Sequence, residues 1–496
     1  MKAIISALFS ASLVSGAIHG LQGIRGDGSE NIVPNAFIVE LEGASILEEF
    51  GGNIKRSPVA KGNGIFYQSL KERGVQFDVT KEWTTDVFTA VSLVLNEDAD
   101  ASDLLSMPGV VAVHPVRTYA MPKPAIITES NNNTFPIYEP HIATGVQRLH
   151  EEGLLGKGVK IAIIDTGVDY NHPILGPQGF GPGHKVIGGY DLVGDDYTGL
   201  NTPIPDTNPM DCAAHGTHVA GIIGANPGSG PYGIVGTAPS ASLLAYRVFG
   251  CKGSASDDVL IDALLMAHDA KADVMNLSLG EANGWNASPS AVVVSRLAKK
   301  GYVMVISAGN SGSVGPWYSS SPASGIDVIT VASTDSTTVY YQRANVSTGY
   351  GPIVYTGFES FPVNGSWPIY AVSNVTTITN DACNPLPDST PDLSPYVVII
   401  RRGACAFTQK LANAAAKGMR VALVYNNGGS FQGFAAGNYT AALISEQDGA
   451  YLVSQFVAGN NITISFPQGS AQPTPFPQGG LISTFSSYGP NYGMSV

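Results

Sequence analysis

Between residues 160 and 331 the chain alternates largely apolar runs with amphipathic stretches. The runs at 160–165, 243–248, 274–279, 303–307 and 328–331 have the character of strands buried on both faces of a parallel sheet. Stretches at 217–224, 256–271 and 288–300 predict helices between them, and 142–152 predicts one more ahead of the first strand. Strand and helix in alternation predict an α/β fold, a doubly wound parallel sheet whose sites lie at the carboxyl ends of its strands. Asp165 and Asn310 both fall at such ends.

The flanking regions are patterned differently. Near the start, 36–42 alternates as a strand does, 87–95 and 110–116 are further candidate strands, and 98–107 is a short helix closed by Pro108-Gly109. This predicts a small α+β unit over 31–119, followed by a proline- and asparagine-rich tether over 119–140. Such a unit fits a cleavable propeptide and an ordinary N-terminal domain equally well. A first helical and parallel region spans 140–348. From 349 to 470 the chain turns β-rich, with a helix at 408–417 and a strand within 418–427, and 471–496 resumes the pattern of 140–348.

Composition narrows the class. The chain has 496 residues, 44% hydrophobic and 13% charged, with 58 Gly and 32 Pro, as in a compact, loop-rich protein of several domains. A net charge of −13 argues against a nucleic-acid partner. Lys2, an apolar run over 3–14 and the small residues Ser15, Gly16 and Ala17 predict a signal peptide over 1–19. That run is too short for a membrane anchor, which needs about 20 residues, and no later segment spans a membrane. Four cysteines and the sequons at Asn132, Asn286, Asn345, Asn364, Asn374, Asn438 and Asn461 agree with a secreted, extracellular protein. Asn276 also heads a sequon, but inside an expected strand.

The candidate chemistry centres on Asp211-Cys-Ala-Ala-His215-Gly-Thr-His218-Val-Ala-Gly221, where a polar site opens a helix that turns inward. Cys212, His215 and His218 have zinc-like spacing, but no fourth ligand lies near in sequence. Asp165-Thr166-Gly167 resembles the start of an aspartic protease site, yet that chemistry needs two carboxylates and the chain has no second such triplet. There remain a carboxylate that can fix a histidine's tautomer, the histidine, and Asn310 in a small-residue loop, whose amide can donate to an oxyanion.

In the order Asp165, His215, Asn310, with Ile163-Ile-Asp-Thr-Gly-Val-Asp169, His215-Gly-Thr-His-Val-Ala-Gly221 and Ala308-Gly-Asn310, the chain resembles the subtilisin-like serine proteases. The resemblance implies that Asp165 orients the base, His215 is general base and acid, and Asn310 donates to the oxyanion. It implies a substrate pocket walled by Ser278, Leu279 and Gly280 on one side and by Ala308 and Gly309 on the other. Residues 247–254 resemble the segment that pairs with substrate backbone. The N-terminal unit resembles, more loosely, the inhibitory propeptide, and 349–470 resembles an inserted protease-associated (PA) domain. In the expected fold Cys212 would pair with Cys251 and Cys383 with Cys405. Partners would be protein or peptide substrates and the chain's own propeptide.

The family's Gly-Thr-Ser-Met-Ala nucleophile motif is absent, and Gly493-Met-Ser-Val496 lacks the threonine and the helix that should follow. The expectation is therefore a piece of a secreted endopeptidase that hydrolyses nothing by itself. The alternative is a truncated, non-catalytic product that binds peptides or a partner through its PA domain and propeptide. No cofactor is called for. Calcium is common in the family, but Asp195-Asp196 and other loop carboxylates form no recognisable ligand loop. Glu281, beside the pocket wall, could favour basic side chains or face solvent.

Overall fold

The fold was read from a computed structural model, which describes residues 31–42, 60–96, 101–122, 139–227, 234–357, 361–428, 431, 434, 436–468, 472–476 and 478–492. The expected signal peptide, Asn132, most of the tether and Ser495 lie outside these residues.

The N-terminal unit contains strands β1 (Ile32–Leu41), β2 (Phe77–Thr84), β3 (Thr89–Leu95) and β4 (Val110–Ala120), with helices α1 (Ala60–Glu72) and α2 (Ala101–Leu105). Helix α1 and strand β2 were not foreseen in the sequence, and Tyr119 ends a strand rather than opening a tether. The expected helix at 142–152 is two short ones, α3 (Glu139–Ala143) and α4 (Val146–Glu151), because Gly145 takes a left-handed φ of 76° between them.

The central region follows with β5 (Lys160–Asp165), β6 (Val186–Asp191), α5 (His215–Gly224), β7 (Ser242–Arg247), β8 (Ser254–Ser256), α6 (Asp257–Asp269), β9 (Val274–Leu277), β10 (Glu281–Ala282), α7 (Pro289–Lys299), β11 (Val303–Ser307), β12 (Ser320–Ser321) and β13 (Ile329–Val331). Six strands form one parallel sheet in the order β13-β11-β9-β5-β7-β6. Alternate side chains along each strand serve opposite faces. Ile161, Ile163, Leu243 and Ala245 pack with Val219 and Ala220 of α5. Ala162, Ile164, Leu244 and Tyr246 pack with Val259, Leu264, Val293 and Leu297 of α6 and α7. Helices on both faces make the sheet doubly wound, as the alternation predicted.

Strand order brings the N-terminal unit onto this sheet's helical layer. β4 pairs antiparallel with β8 (Thr118 with Ser256, Tyr119 with Ala255, Ala120 with Ser254), so one five-stranded sheet runs β2-β3-β1-β4-β8 across both regions. Ile38, Trp83, Phe88 and Val116 of the unit share a hydrophobic cluster with α6 and α7. Polar contacts frame it: Trp83 Nε1 donates to Asp262 at 2.6 Å, Lys300 pairs with Asp86 at 2.7 Å, and Arg296 pairs with Glu40.

A third region comprises β14 (Thr338–Val346), β15 (Ile353–Thr356), β16 (Ser366–Ala371), β17 (Val397–Arg401), α8 (Phe407–Ala415), β18 (Val421–Tyr425), β19 (Thr440–Ile444), α9 (Glu446–Val457), β20 (Thr463–Ser465) and β21 (Gln472–Pro475). They build a mixed eight-stranded sheet with its own two hydrophobic clusters. The first strand, β14, pairs with the last, β21, so the chain leaves and re-enters the central region side by side. Residues 482–487 then return to the central region at the loop after β11, where Gly312 N–H donates to Phe485 C=O at 2.9 Å and Ser487 N–H to Gly309 C=O at 2.8 Å. Disulfides join Cys212 to Cys251 and Cys383 to Cys405, the pairings the resemblance implied.

Candidate active site

The site is assembled where β5 ends and α5 begins. Asp165 is the last residue of β5, and Thr166-Gly167 turn the chain away with Gly167 at φ 98°. A side chain at Gly167 would place its Cβ 2.6 Å from Pro209 O, and one at Gly216 would lie 2.0 Å from Gly167 O. These two glycines let the strand end and the helix start close to van der Waals contact.

Asp211 fixes that approach. One carboxylate oxygen accepts from Ala213 N–H at 2.8 Å, Ala214 N–H at 3.0 Å and the Thr166 hydroxyl at 3.0 Å. The other accepts from Thr217 N–H at 3.0 Å and from its hydroxyl at 2.6 Å. Ala214 is thereby held left-handed at φ 68°, a conformation unfavourable for a residue with a Cβ. Thr166 Oγ1 in turn accepts Gly216 N–H at 2.8 Å, stitching turn to helix.

With both backbones held, His215 Nδ1 lies 2.7 Å from Asp165 Oδ1. Asp165 is fully buried, and its Oδ1 also accepts Thr166 N–H at 2.7 Å. Its Oδ2 is sealed from solvent with no partner among the described residues. Burial pushes the Asp165 carboxyl up, while His215 and the Thr166 N–H pull it back. A carboxylate on Nδ1 requires the proton there, which leaves the Nε2 lone pair to act as a base. Once protonated, the imidazolium would face a carboxylate in a dry setting, where the attraction is strong.

His218, one turn along, takes no part in this pair; partial burial and the neighbouring His215 hold its imidazole below the usual range. Cys212 is committed to a disulfide and His215 to Asp165, so the zinc-like spacing of Cys212, His215 and His218 offers no ligand set. Asp195 pairs with the buried Arg247 at 2.8 Å, which also holds Asp191 at 3.0 Å.

The expected pocket walls meet at one serine. The Ser307 hydroxyl donates to Leu279 C=O at 3.3 Å, and Ser320 N–H donates to Ala308 C=O at 2.8 Å. A Cβ on Gly280 would sit 1.8 Å from Ser320 Oγ, and one on Gly309 would sit 3.1 Å from Ser320 Cβ. Ser278, half-buried, follows β9, and Leu279 and Ala308 are buried. Asn310 is exposed on the loop after β11, steadied by Ser311 N–H donating to Ser487 Oγ at 2.9 Å. Sheet order places the ends of β5, β9 and β11 side by side, so Asp165, Ser278–Gly280 and Asn310 share one edge.

Comparison with known proteins decides the family. The model of the Subtilase family matches residues 156–496. This chain belongs to the subtilases. It is 33% identical over 437 residues to the minor extracellular protease Vpr of Bacillus subtilis (strain 168), covering 86% of this chain and 51% of that protein. Against thermitase of Thermoactinomyces vulgaris it is 38% identical over 222 residues, 45% of this chain and 68% of thermitase. Against subtilisin E of Bacillus subtilis (strain 168) it is 38% identical over 168 residues, 34% of this chain and 38% of subtilisin E. The chain thus spans about half the length of Vpr.

Two features of this subtilase bear on what its sequence predicts. β4 pairs with Ser254–Ser256 and, through Met121, reaches Gly253 C=O, meeting the end of the expected 247–254, whose first residue Arg247 is the buried end of a sheet strand. Glu281 neither faces open solvent nor stands alone: burial pushes its carboxyl up, and the Ala282 N–H, Arg117 and Asn31 act against that. The parts played by Ser320 and Ser487 are not apparent in the sequence, and that of Asp211 was missed. Asp211 carried a signal, an acidic residue just ahead of a helix start.

Proposed function

We propose that this subtilase is a secreted serine endopeptidase that cleaves peptide bonds by acyl transfer. The observation carrying the reading is the 2.7 Å contact between His215 Nδ1 and the fully buried Asp165. In this reading His215 takes the proton of an attacking serine and returns it to the leaving amine, Asp165 stabilises the imidazolium, and the Asn310 amide donates to the oxyanion. Ser278–Gly280 and Ala308–Gly309 wall the substrate pocket. The N-terminal unit acts as the inhibitory propeptide, a role supported by its strand pairing on Ser254–Ser256. The third region corresponds to a PA domain.

The 496 residues contain no Gly-Thr-Ser-Met-Ala sequence, so this reading requires the nucleophilic serine to come from a segment other than these. Exposed apolar side chains of Ile329, Val331, Leu481, Ile482 and Phe485 offer packing area for a serine-bearing segment. Secretion is supported by exposed sequon asparagines at Asn345, Asn364, Asn374, Asn438 and Asn461, and among the described residues no helix is long and apolar enough to cross a membrane.

The second reading is a non-catalytic product that binds peptides or a partner through its PA domain and propeptide. An active-site serine probe with intact mass, applied to the secreted protein after deglycosylation, separates the two. Labelling of a species heavier than 51.6 kDa, lost in a His215→Ala variant, is the expected result. A secreted species matching these residues, unlabelled and inert on casein, would leave only the second reading. Residues 1–496 expressed alone should hydrolyse no peptide, with or without His215.

A further inference from the structure

Strand β4 delivers a side chain into the central region for which inhibition by strand pairing alone has no use. Tyr119 is 1% exposed, with its ring in the cluster formed by Ala255, Val259, Leu260 and their neighbours. Its hydroxyl donates to Asp257 Oδ1 at 2.6 Å and lies 2.7 Å from Ser290 Oγ. Asp257, at the first turn of α6, is fully buried, and its Oδ2 accepts the backbone N–H of Arg117 at 3.0 Å. One buried carboxylate thus takes a side-chain donor from one residue and a main-chain donor from the residue two before it. Both donors lie on a single extended strand laid against β8, and the pairing runs on to Met121 N–H on Gly253 C=O at 3.3 Å.

Main-chain pairing is indifferent to sequence, so discrimination among peptides falls to the pockets that receive alternate side chains. A phenylalanine would fill the space of the Tyr119 ring but bring no donor. Asp257 would then be left with Arg117 N–H and Ser290, and a buried carboxylate short of a donor is costly. Sites built to hydrogen-bond a hydroxyl reject the analogue lacking it far better than apolar pockets reject a missing methylene.

We propose that the pocket floored by Asp257 and Ser290 is a subsite selecting a tyrosine side chain of an extended peptide, and that Tyr119 fills it as the chain's own occupant. The proposal rests on the reading of the chain as a peptide-cleaving subtilase whose N-terminal unit lies in its peptide groove. Asp257 is then a specificity residue that shares no hydrogen-bond partner with the His215–Asp165 pair and has no role in proton transfer.

The tethered tail is itself the probe. Tyr119→Phe, Tyr119→Leu and Tyr119→Ala would be made in the full chain, each with Asp257 intact and with Asp257→Ala. Amide hydrogen exchange over 117–121 and 253–256 at pH 7.5 then reads how firmly the tail is held. With Asp257 intact, tyrosine should protect at least about tenfold better than phenylalanine. With Asp257→Ala the preference should vanish or reverse. Should that variant misfold, Asp257→Asn keeps shape and one acceptor, and the gap should narrow there. Equal protection by tyrosine and phenylalanine beside an intact Asp257, or a gap unchanged by its replacement, overturns the proposal. Peptide-library cleavage by the secreted enzyme is the second arm, expected to enrich tyrosine at one fixed position before the scissile bond. Tyrosine preference in exchange with no hydrolysis would sink the protease reading and leave the pocket standing. Hydrolysis without that enrichment would do the reverse.

Discussion

Asp257 shows how one buried carboxylate couples recognition to acidity. Burial pushes its carboxyl up to about 6 from 3.8, against the pull of the Tyr119 hydroxyl, the Arg117 N–H and Ser290. Between those values the folded protein holds a proton that the unfolded chain has released. The resulting stabilisation is fully present below pH 3.8 and is lost as pH rises through about 6. Asp257→Asn removes the titration, so wild type should gain on the variant by roughly 2–3 kcal/mol as pH falls from 7 to 4. Denaturant titrations at pH 4, 5, 6 and 7 measure this, and a gap between the two proteins that ignores pH would contradict it. Asp165 differs in kind: its raised carboxyl is opposed first by the very histidine it serves.

Among the elements, the bridge between Cys212 and Cys251 matters most to the site, because it ties the approach to α5 to the loop after β7 across a separation of 39 residues. Closing a loop of that length removes about 4 kcal/mol of unfolded-chain entropy. Replacing both cysteines by serine should lower unfolding stability by up to about 4 kcal/mol in non-reducing denaturant titrations; a variant as stable as wild type would show that the Asp211 cap alone holds the segment. The central elements were largely legible in sequence, for a physical reason. β5 and β7 are buried on both faces and read as apolar runs, whereas β6 does not. A Cβ on its Gly189 would lie 1.9 Å from Ala245 O, so close contact with β7 selects glycine and erases the apolar signal. β2 is hidden in the sequence because most of its residues are exposed and Lys81 interrupts the apolar face made by Phe77, Val79 and Trp83. At the site, Asp165 and His215 stood in a recognisable pattern. The role of Asp257 depends on donors brought from elsewhere in the fold, which no local pattern records, whereas Asp211 is held mostly by donors of its own segment.

At the scale of the molecule there are two cooperative bodies by packing. The N-terminal unit and the central sheet share one hydrophobic cluster, while the third region encloses its own apolar clusters around its own sheet. Calorimetry should resolve two transitions, with Trp83, buried at the first interface, reporting only one of them. Trp83 exposure in a step separate from loss of the central sheet would show that the shared cluster does not couple the two. The join between those partners is also their vulnerability. If Thr118–Ala120 leave, Ser254–Ser256 becomes an edge strand with unpaired donors and acceptors, a template for any extended chain, including another copy of this protein. A short edge three residues long limits that hazard, since few ladder bonds can form on it. The uncovered protein therefore faces a choice between colloidal stability and openness to peptides, and the brevity of β8 is where that compromise is struck.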